Sequence, residues 1–200
     1  MAEKEIAVHQ IFLVSPCHYL LAGLEAVMKT VPVKVMPVSR PEEIQSAPGS
    51  RRKTRLVLVS VPVREPKTAA RASLFLWRLM CLQAAGYLVD LPVLLLSDMP
   101  GGSYPQLSER TPPERLRHTL TEAVTRPGNL PGMNRSRHCE LSALQQKILM
   151  ASLAGLSVEE MALALNISRR GVFTGRTALM NKLGLRNRLG LMSLVAADFI

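Results

Sequence analysis

Cysteine is scarce in this 200-residue sequence, and so are long apolar runs. The three cysteines, at positions 17, 81 and 139, form no C-x-x-C pair, which argues against a disulfide framework and fits a reducing compartment. They also lack the spacing of zinc ligands, so we expect no metal site and no cofactor. The longest apolar run, LPVLLL at 91–96, is too short to span a membrane, and the N-terminus lacks the layout of a secretory signal. We therefore expect a soluble, cytoplasmic protein without membrane contact.

Sequence signatures of catalysis are missing as well. The chain has no glycine-rich phosphate loop, no G-x-S-x-G motif and no paired carboxylates with a flanking histidine in an apolar pattern. We expect no catalytic residues and no enzymatic activity.

Acidic residues are outnumbered by basic ones. The sequence has 15 Asp and Glu against 25 Lys and Arg, which gives a formal net charge of +10 and an isoelectric point near 10.2. An excess of this size favours a polyanionic partner. No block of like charge is long enough to indicate a disordered tail.

Residues 1–125 alternate short apolar runs with helical patterns. Strands are predicted at 11–14, 33–38, 55–61 and 91–97, and helices at 19–29, 41–46, 68–85 and 114–125. Because strands that alternate with helices pair in parallel, we predict an α/β domain whose parallel sheet is covered on both faces. The stretch 98–113 is dense in Pro, Gly and Ser, so the sheet is expected to be truncated after its fourth strand.

The last part of the chain has a different, wholly helical pattern. Residues 126–140 have no periodic apolar face, which predicts a linker, and residues 141–200 form a second domain. Its first helix is expected to stop at Gly155, and Ser157 with Glu160 forms a capping box for the second. Asn166 permits a sharp turn, after which Ser168 caps a third helix that extends to Leu183.

Two helices joined by a tight turn, the second of them basic, are typical of a helix-turn-helix. An ordinary helical bundle with solvated arginines gives the same spacing, so spacing alone leaves DNA binding open. The segment 141–195 also resembles the LuxR/NarL-type DNA-binding domains over its whole length, without gaps. The positions that match are Leu141, Leu149, Gly155, Leu156, Ser157, Glu160, Ala162, Leu165, Ile167, Ser168, Val172, Arg176, Lys182, Leu183, Gly184 and the Arg186-Asn187-Arg188 step.

The resemblance implies an all-α, four-helix domain whose third helix enters the major groove of double-stranded DNA. By that resemblance, Phe173, Thr174 and Thr177 face the groove. The phosphate contacts would come from Arg169, Arg170, Arg176 and Lys182. None of the groove-facing side chains gives the bidentate reading of guanine that Arg or Lys provides, so weak base specificity is expected.

Two glycines interrupt the third helix, at positions where the family usually has Thr and His. Gly171 and Gly175 each cost on the order of 1 kcal/mol relative to alanine, which predicts a helix that frays when free of DNA. Alternatively, the two glycines lie on one face and allow close approach of DNA.

The fourth helix makes the dimer contact in proteins of this family. In the run 188–200 an apolar stripe recurs at helical spacing, and it is formed by Leu189, Met192, Val195 and Ala196. We expect this stripe to be the dimer interface.

The N-terminal domain resembles a response-regulator receiver in the order of its elements. Phosphorylation there needs a carboxylate pair after the first strand, an acceptor aspartate ending the third strand and a lysine ending the fifth. Ser15-Pro16 and Ser60 stand at the first two places, and no lysine lies between Lys67 and Lys147. The chain is thus expected to be a pseudo-receiver, with Ser60 at a degenerate phosphoacceptor position.

Two functions fit these observations. The first is a transcription regulator that binds DNA as a homodimer, independently of phosphorylation. The second is an auxiliary subunit that forms a heterodimer with another LuxR/NarL-type regulator, similar to the Rcs-type auxiliary regulators. The sequence also leaves open whether a ligand binds the pseudo-receiver.

Overall fold

In the computed structural model, the described residues are 9–46, 54–62, 64–88, 91–98, 104–126, 140–195 and 198. Their order of elements alternates strands and helices and then becomes wholly helical. The elements are β1 (His9–Val14), α1 (His18–Met28), β2 (Val33–Pro37), α2 (Glu42–Ser46), β3 (Arg55–Ser60), α3 (Pro66–Ala84), β4 (Val93–Leu96), β5 (Gln106–Leu107), α4 (Pro113–Thr125), α5 (Ala143–Leu153), α6 (Val158–Leu165), α7 (Arg169–Leu183) and α8 (Arg188–Ser193). The expected fold class, a parallel α/β domain followed by a four-helix domain, is confirmed.

The sheet has five parallel strands in the order β2-β1-β3-β4-β5. The expected truncation after the fourth strand is wrong, because β5 continues the sheet. Leu95 and Leu96 of β4 pair with Gln106 and Leu107 of β5, and the N–H of Ser97 donates to the carbonyl of Leu107 at 2.8 Å. A two-residue strand is too short to show alternation in the sequence.

Successive strand residues point to opposite faces of the sheet and supply two separate cores. On one face Phe12 and Val57 pack with Phe75 and Leu79 of α3. On the other face the neighbouring strand residues, Ile11 among them, pack with α1 and α4. Burying an apolar side chain of this size stabilises the fold by about 1.5–3 kcal/mol, which explains why β1 and β3 are almost continuously apolar.

The C-terminal helices begin and end where local signals place them. Ser157 and Glu160 form the expected capping box, with the N–H of Glu160 donating to Oγ of Ser157 at 3.2 Å. Gly155 has φ +78°, and Asn166 has φ 51° and ψ 49°, both left-handed. The N–H of Ser157 donates to Oε2 of Glu160 at 2.7 Å. This backbone hydrogen bond, with a smaller contribution from the Ser157 side chain, holds the pKa of the Glu160 carboxyl below its usual value.

A third core joins the two halves of the chain through α3. Ala70 and Leu74 of α3 are buried with Leu183 of α7 and Leu191 of α8, and Trp77 packs against the same cluster. The hydroxyl of Ser73 also donates to the carbonyl of Gly184 at 3.1 Å. The helices α7 and α8 therefore rest on α3.

The predicted linker at 126–140 lies almost wholly outside the described residues, which resume at 140. The domain boundaries at 125 and 141 stay predictions. In the part of the chain that the structure describes, no helix is both long enough and apolar enough to cross a membrane.

Candidate nucleic-acid interface

The helix-turn-helix is formed by α6, α7 and the turn at Asn166 between them. Val158 and Met161 of α6 are buried against Val172 of α7, which fixes the angle between the two helices. Oγ of Ser168 accepts a hydrogen bond from the N–H of Gly171 at 3.1 Å and so caps α7. The positive end of the α7 dipole thus lies at an exposed terminus.

One face of α7 is open to solvent. Phe173, with 55% of its surface exposed, lies on this face, and Thr174 and Thr177 are exposed beside it. The three residues expected to face the groove are therefore brought together. The structure adds Arg170 and Asn181, which are exposed at helical spacing from them. Sequence reasoning missed Asn181, although its spacing of four from Thr177 was a signal.

Only some of the four cations expected to contact phosphates lie on or beside this face. Arg169 and Arg170 are exposed at the start of α7, and Arg169 lies 3.5 Å from Glu159 in an ion pair. Arg176 and Lys182 are half-buried on the flanks of the helix. Only the first pair is presented to solvent beside Phe173 and Thr174.

Both flanking cations bind backbone carbonyls of the same domain. Nη2 of Arg176 donates to the carbonyl of Leu156 at 3.3 Å, and Nε of Arg176 is buried and has no hydrogen-bond partner among the described residues. Burial lowers the pKa of Arg176, and the charge of Arg188 lowers it further, yet a guanidinium stays protonated. Nζ of Lys182 donates to the carbonyl of Glu140. These contacts brace α7 against the segments before α5 and α6.

The glycines of α7 point into the domain. A Cβ at position 175 would lie 2.2 Å from Cδ1 of Ile148, whereas one at 171 would meet Oγ of Ser168 at 3.4 Å, an ordinary contact. Gly175 therefore permits close packing of α7 on α5. The alternative in which both glycines face DNA does not fit this orientation.

Comparison with known proteins identifies the family of the C-terminal helical segment. Residues 140–195 match the family model described as bacterial regulatory proteins, luxR family. This segment is a LuxR-family regulatory domain. A search of curated proteins finds no match.

Several solved structures are similar to the chain over most of its length. An RcsB–DNA complex is 14% identical, with 92% of this chain and 96% of that chain covered and a TM-score of 0.44. RcsB from Salmonella enterica serovar Typhimurium bound to a promoter is 13% identical, with coverages of 92% and 96% and a TM-score of 0.47. Full-length FixJ from B. japonicum is 17% identical, with coverages of 92% and 94% and a TM-score of 0.39.

The last helix of the LuxR-type domain has two apolar faces. Gly190 and Leu191 of α8 are buried, and Gly190 lies against α3, since a Cβ there would meet Cβ of Ala70 at 3.7 Å. The opposite face exposes Leu189 and Met192, and Val195 is exposed just beyond the helix. Ala196, the fourth residue of the expected dimer stripe, lies outside the described residues.

The N-terminal domain has hydroxyls at the places where receiver chemistry was expected to need acids. Ser60 is buried at the end of β3. Ser15 follows β1, and its Oγ accepts a hydrogen bond from the N–H of Cys17 at 3.1 Å. The hydroxyl of Ser97, after β4, donates to the carbonyl of Val61 at 2.9 Å. Among the described residues, no group of three metal-binding side chains forms at this edge or elsewhere.

Proposed function

We propose that the protein is a transcription regulator that binds double-stranded DNA through α7, as a dimer and independently of phosphorylation. The observation that supports this best is the open face of α7, because the residues expected to enter the groove are exposed while the opposite face is buried. The net charge of +10 favours the same partner. A regulator of this type acts in the cytoplasm, where bacterial DNA lies.

The proposed contacts divide into two classes. Phe173, Thr174, Thr177 and Asn181 meet base edges, where Asn has the geometry to pair with adenine. Arg169 and Arg170 meet phosphates beside them, which adds affinity without sequence information. Arg176 and Lys182 act mainly as braces that set the position of α7, and contribute less to the salt dependence.

Dimerisation is proposed to use the exposed apolar face formed by Leu189, Met192 and Val195. A two-fold axis at this face sets two recognition helices about one DNA turn apart. The face is available because α8 uses its other side to contact α3.

An auxiliary subunit is the second candidate function. It is favoured by the open face of α7, where the side chains that follow Arg169 and Arg170 include short threonines and no further exposed arginine or lysine up to Asn181. In that case the face on α8 pairs with a related regulator, and this chain alters the DNA choice of the pair.

The deciding experiment combines sizing of the pure protein with selection of bound sequences from a random DNA library. A dimer that enriches a two-fold symmetric site supports the first function. A monomer that enriches nothing alone, but changes the site enriched by an added LuxR-type regulator, supports the second.

A further inference from the structure

A cavity of about 560 Å³ lies at the carboxyl ends of β1 and β3. The strand order reverses at β1, because β2 lies on one side of β1 and β3 lies on the other. Open α/β sheets bind their ligands at this point, outside the carboxyl ends of the strands. The volume is within the range of sites for small molecules.

The polar wall of this cavity contains three arginines, and each of them forms an ion pair with a carboxylate. Arg40 comes from the β2–α2 turn, and Arg71 and Arg78 project from α3. Ser15, Ser60 and other hydroxyls complete the wall, and Asp198 is the single acid among the described lining residues. Guanidinium and hydroxyl groups are donors suited to carboxylate or phosphate.

Two of these arginines are held in place by their partners. The side chain of Arg78 is only 20% exposed, and its Nη2 lies 2.9 Å from Oε1 of Glu42, which is outside the lining. Nε of Arg71 donates to Oδ1 of Asp198 at 2.7 Å. A guanidinium has five donors, so a contact through Nε leaves the group able to bind a second anion.

Asp198 shows that the site accepts a carboxylate. Its Oδ1 binds Arg71, and its Oδ2 accepts a hydrogen bond from the N–H of Val195 at 2.8 Å. The acid comes from the segment after α8, whereas the rest of the lining belongs to the N-terminal domain. Asp198 is thus an internal competitor for any external anion.

The remaining wall is apolar and comes from the sheet and α3. Val14, Val38 and Phe75 line it, which suits a ring or a short aliphatic group beside the charged head. We propose that this cavity binds a small organic anion, a carboxylate or phosphate monoester with an apolar group, whose acidic head displaces Asp198 from Arg71. The proposal is independent of DNA binding.

Displacement of Asp198 removes one tie between α3 and the segment that follows α8. Trp77 lies on α3 in the core shared with α8, and it is the only tryptophan of the chain. Its fluorescence therefore reports a change at the α3–α8 contact without an added label.

The test is calorimetric titration of the full-length protein with phenyl phosphate and with benzoate, at constant ionic strength, with benzyl alcohol as the neutral probe. We expect saturable binding of at least one anion at millimolar concentration, and a Trp77 emission change with the same midpoint. Tighter binding of phenyl phosphate identifies a phosphate monoester as the ligand class, and tighter binding of benzoate identifies a carboxylate.

Arg71→Gln and Arg78→Gln should each weaken binding of the favoured anion about tenfold, because a charge-assisted hydrogen bond is lost. Arg117→Gln, on the exposed surface of α4, is the matched control and leaves affinity unchanged.

Asp198→Asn separates specific displacement from a folding defect, since it should tighten binding by about two- to fivefold by removing the competing charge. The proposal is overturned if neither anion binds saturably, if benzyl alcohol binds equally well, or if Arg117→Gln weakens binding as much as Arg71→Gln. Unchanged affinity in Asp198→Asn overturns the displacement step.

Discussion

Gly175 of α7 lies so close to Ile148 of α5 that a Cβ at position 175 would be 2.2 Å from Cδ1 of the isoleucine. Ile148 is fully buried, so its side chain moves only by disturbing a packed core. The absence of a side chain at 175 therefore sets the distance between the recognition helix and the helix beneath it.

This contact predicts that Gly175→Ala lowers the free energy of unfolding, whereas helix propensity alone predicts that it raises it. Gly175→Ala gains about 1 kcal/mol of helix propensity but overpacks the core at a cost of about 1–3 kcal/mol. We expect a net loss of about 1 kcal/mol in the free energy of unfolding, measured by urea denaturation. Gly171→Ala, where a methyl group would make only ordinary contacts, should instead stabilise the protein.

A double variant checks the cause. Ile148→Val removes Cδ1 and should itself cost about 1 kcal/mol. The double variant, with Ile148→Val and Gly175→Ala together, should lose about 1 kcal/mol less stability than the sum of the two single losses. Strict additivity would show that Cδ1 is not the obstacle.

The salt dependence of DNA binding should depend on the exposed cations at the start of α7. Arg169→Ala with Arg170→Ala should weaken binding to all sequences alike and reduce the slope of log K against log salt by about 2, since each phosphate contact contributes about 0.9. Arg115→Ala with Arg117→Ala, on the exposed surface of α4, removes the same charge and should leave the slope unchanged. Equal slopes in both double variants would reject the proposed placement of DNA.

Base discrimination should depend on the residues of the exposed face that lie nearer the end of α7. Asn181→Ala should alter the preferred base at one or two positions of the selected site while overall affinity for random DNA is kept, because an amide contacts base edges and has no charge. Thr125→Ala, at the exposed end of α4, is the control. Identical selected sites for wild type and Asn181→Ala would exclude this residue from base contact.

Association should be sensitive to charge on the exposed face of α8. Met192 is 60% exposed there, and Met150 on α5 is 62% exposed, so Met→Glu at the two positions forms a matched pair. Met192→Glu places an unpaired carboxylate in the proposed contact and should cost a few kcal/mol of association. Sedimentation velocity should show a dimer for wild type and Met150→Glu and a monomer for Met192→Glu. A dimer in all three would place the interface elsewhere.

Phosphorylation should have no effect on the protein. Ser15, Pro16 and Ser60 stand where Mg²⁺ ligands and an acceptor are needed, so incubation with acetyl phosphate and Mg²⁺ should change neither the intact mass nor the DNA affinity. A phosphate adduct on Ser60 would contradict this.

Local signals were enough to predict the C-terminal helices and the first four strands. Capping boxes and left-handed residues act within one helical turn, as at Ser157 and Asn166, and buried strands show as apolar runs. The fifth strand was missed because Gln106 and Leu107 gain their strand geometry from pairing with β4 and not from their own pattern.

Contacts between distant segments could not be predicted in the same way. The bond from Arg176 to the carbonyl of Leu156 depends on how α7 crosses the start of α6, which the spacing of charges does not reveal. The cavity at the carboxyl ends of β1 and β3 likewise combines α3, the β2–α2 turn and Asp198, which are far apart in the sequence. Composition indicates only that these residues are polar.

Helix α3 belongs to two cores at once, with Phe75 and Leu79 facing the sheet and Ala70 and Leu74 facing the helical domain. Melting of either half therefore removes the support of the other, and heat should unfold the protein in one cooperative transition. Separate expression of residues 1–125 would leave Ala70, Leu74 and Trp77 in water, an apolar strip that favours aggregation. We therefore expect the two halves to form a single unit of stability although their chemistry differs.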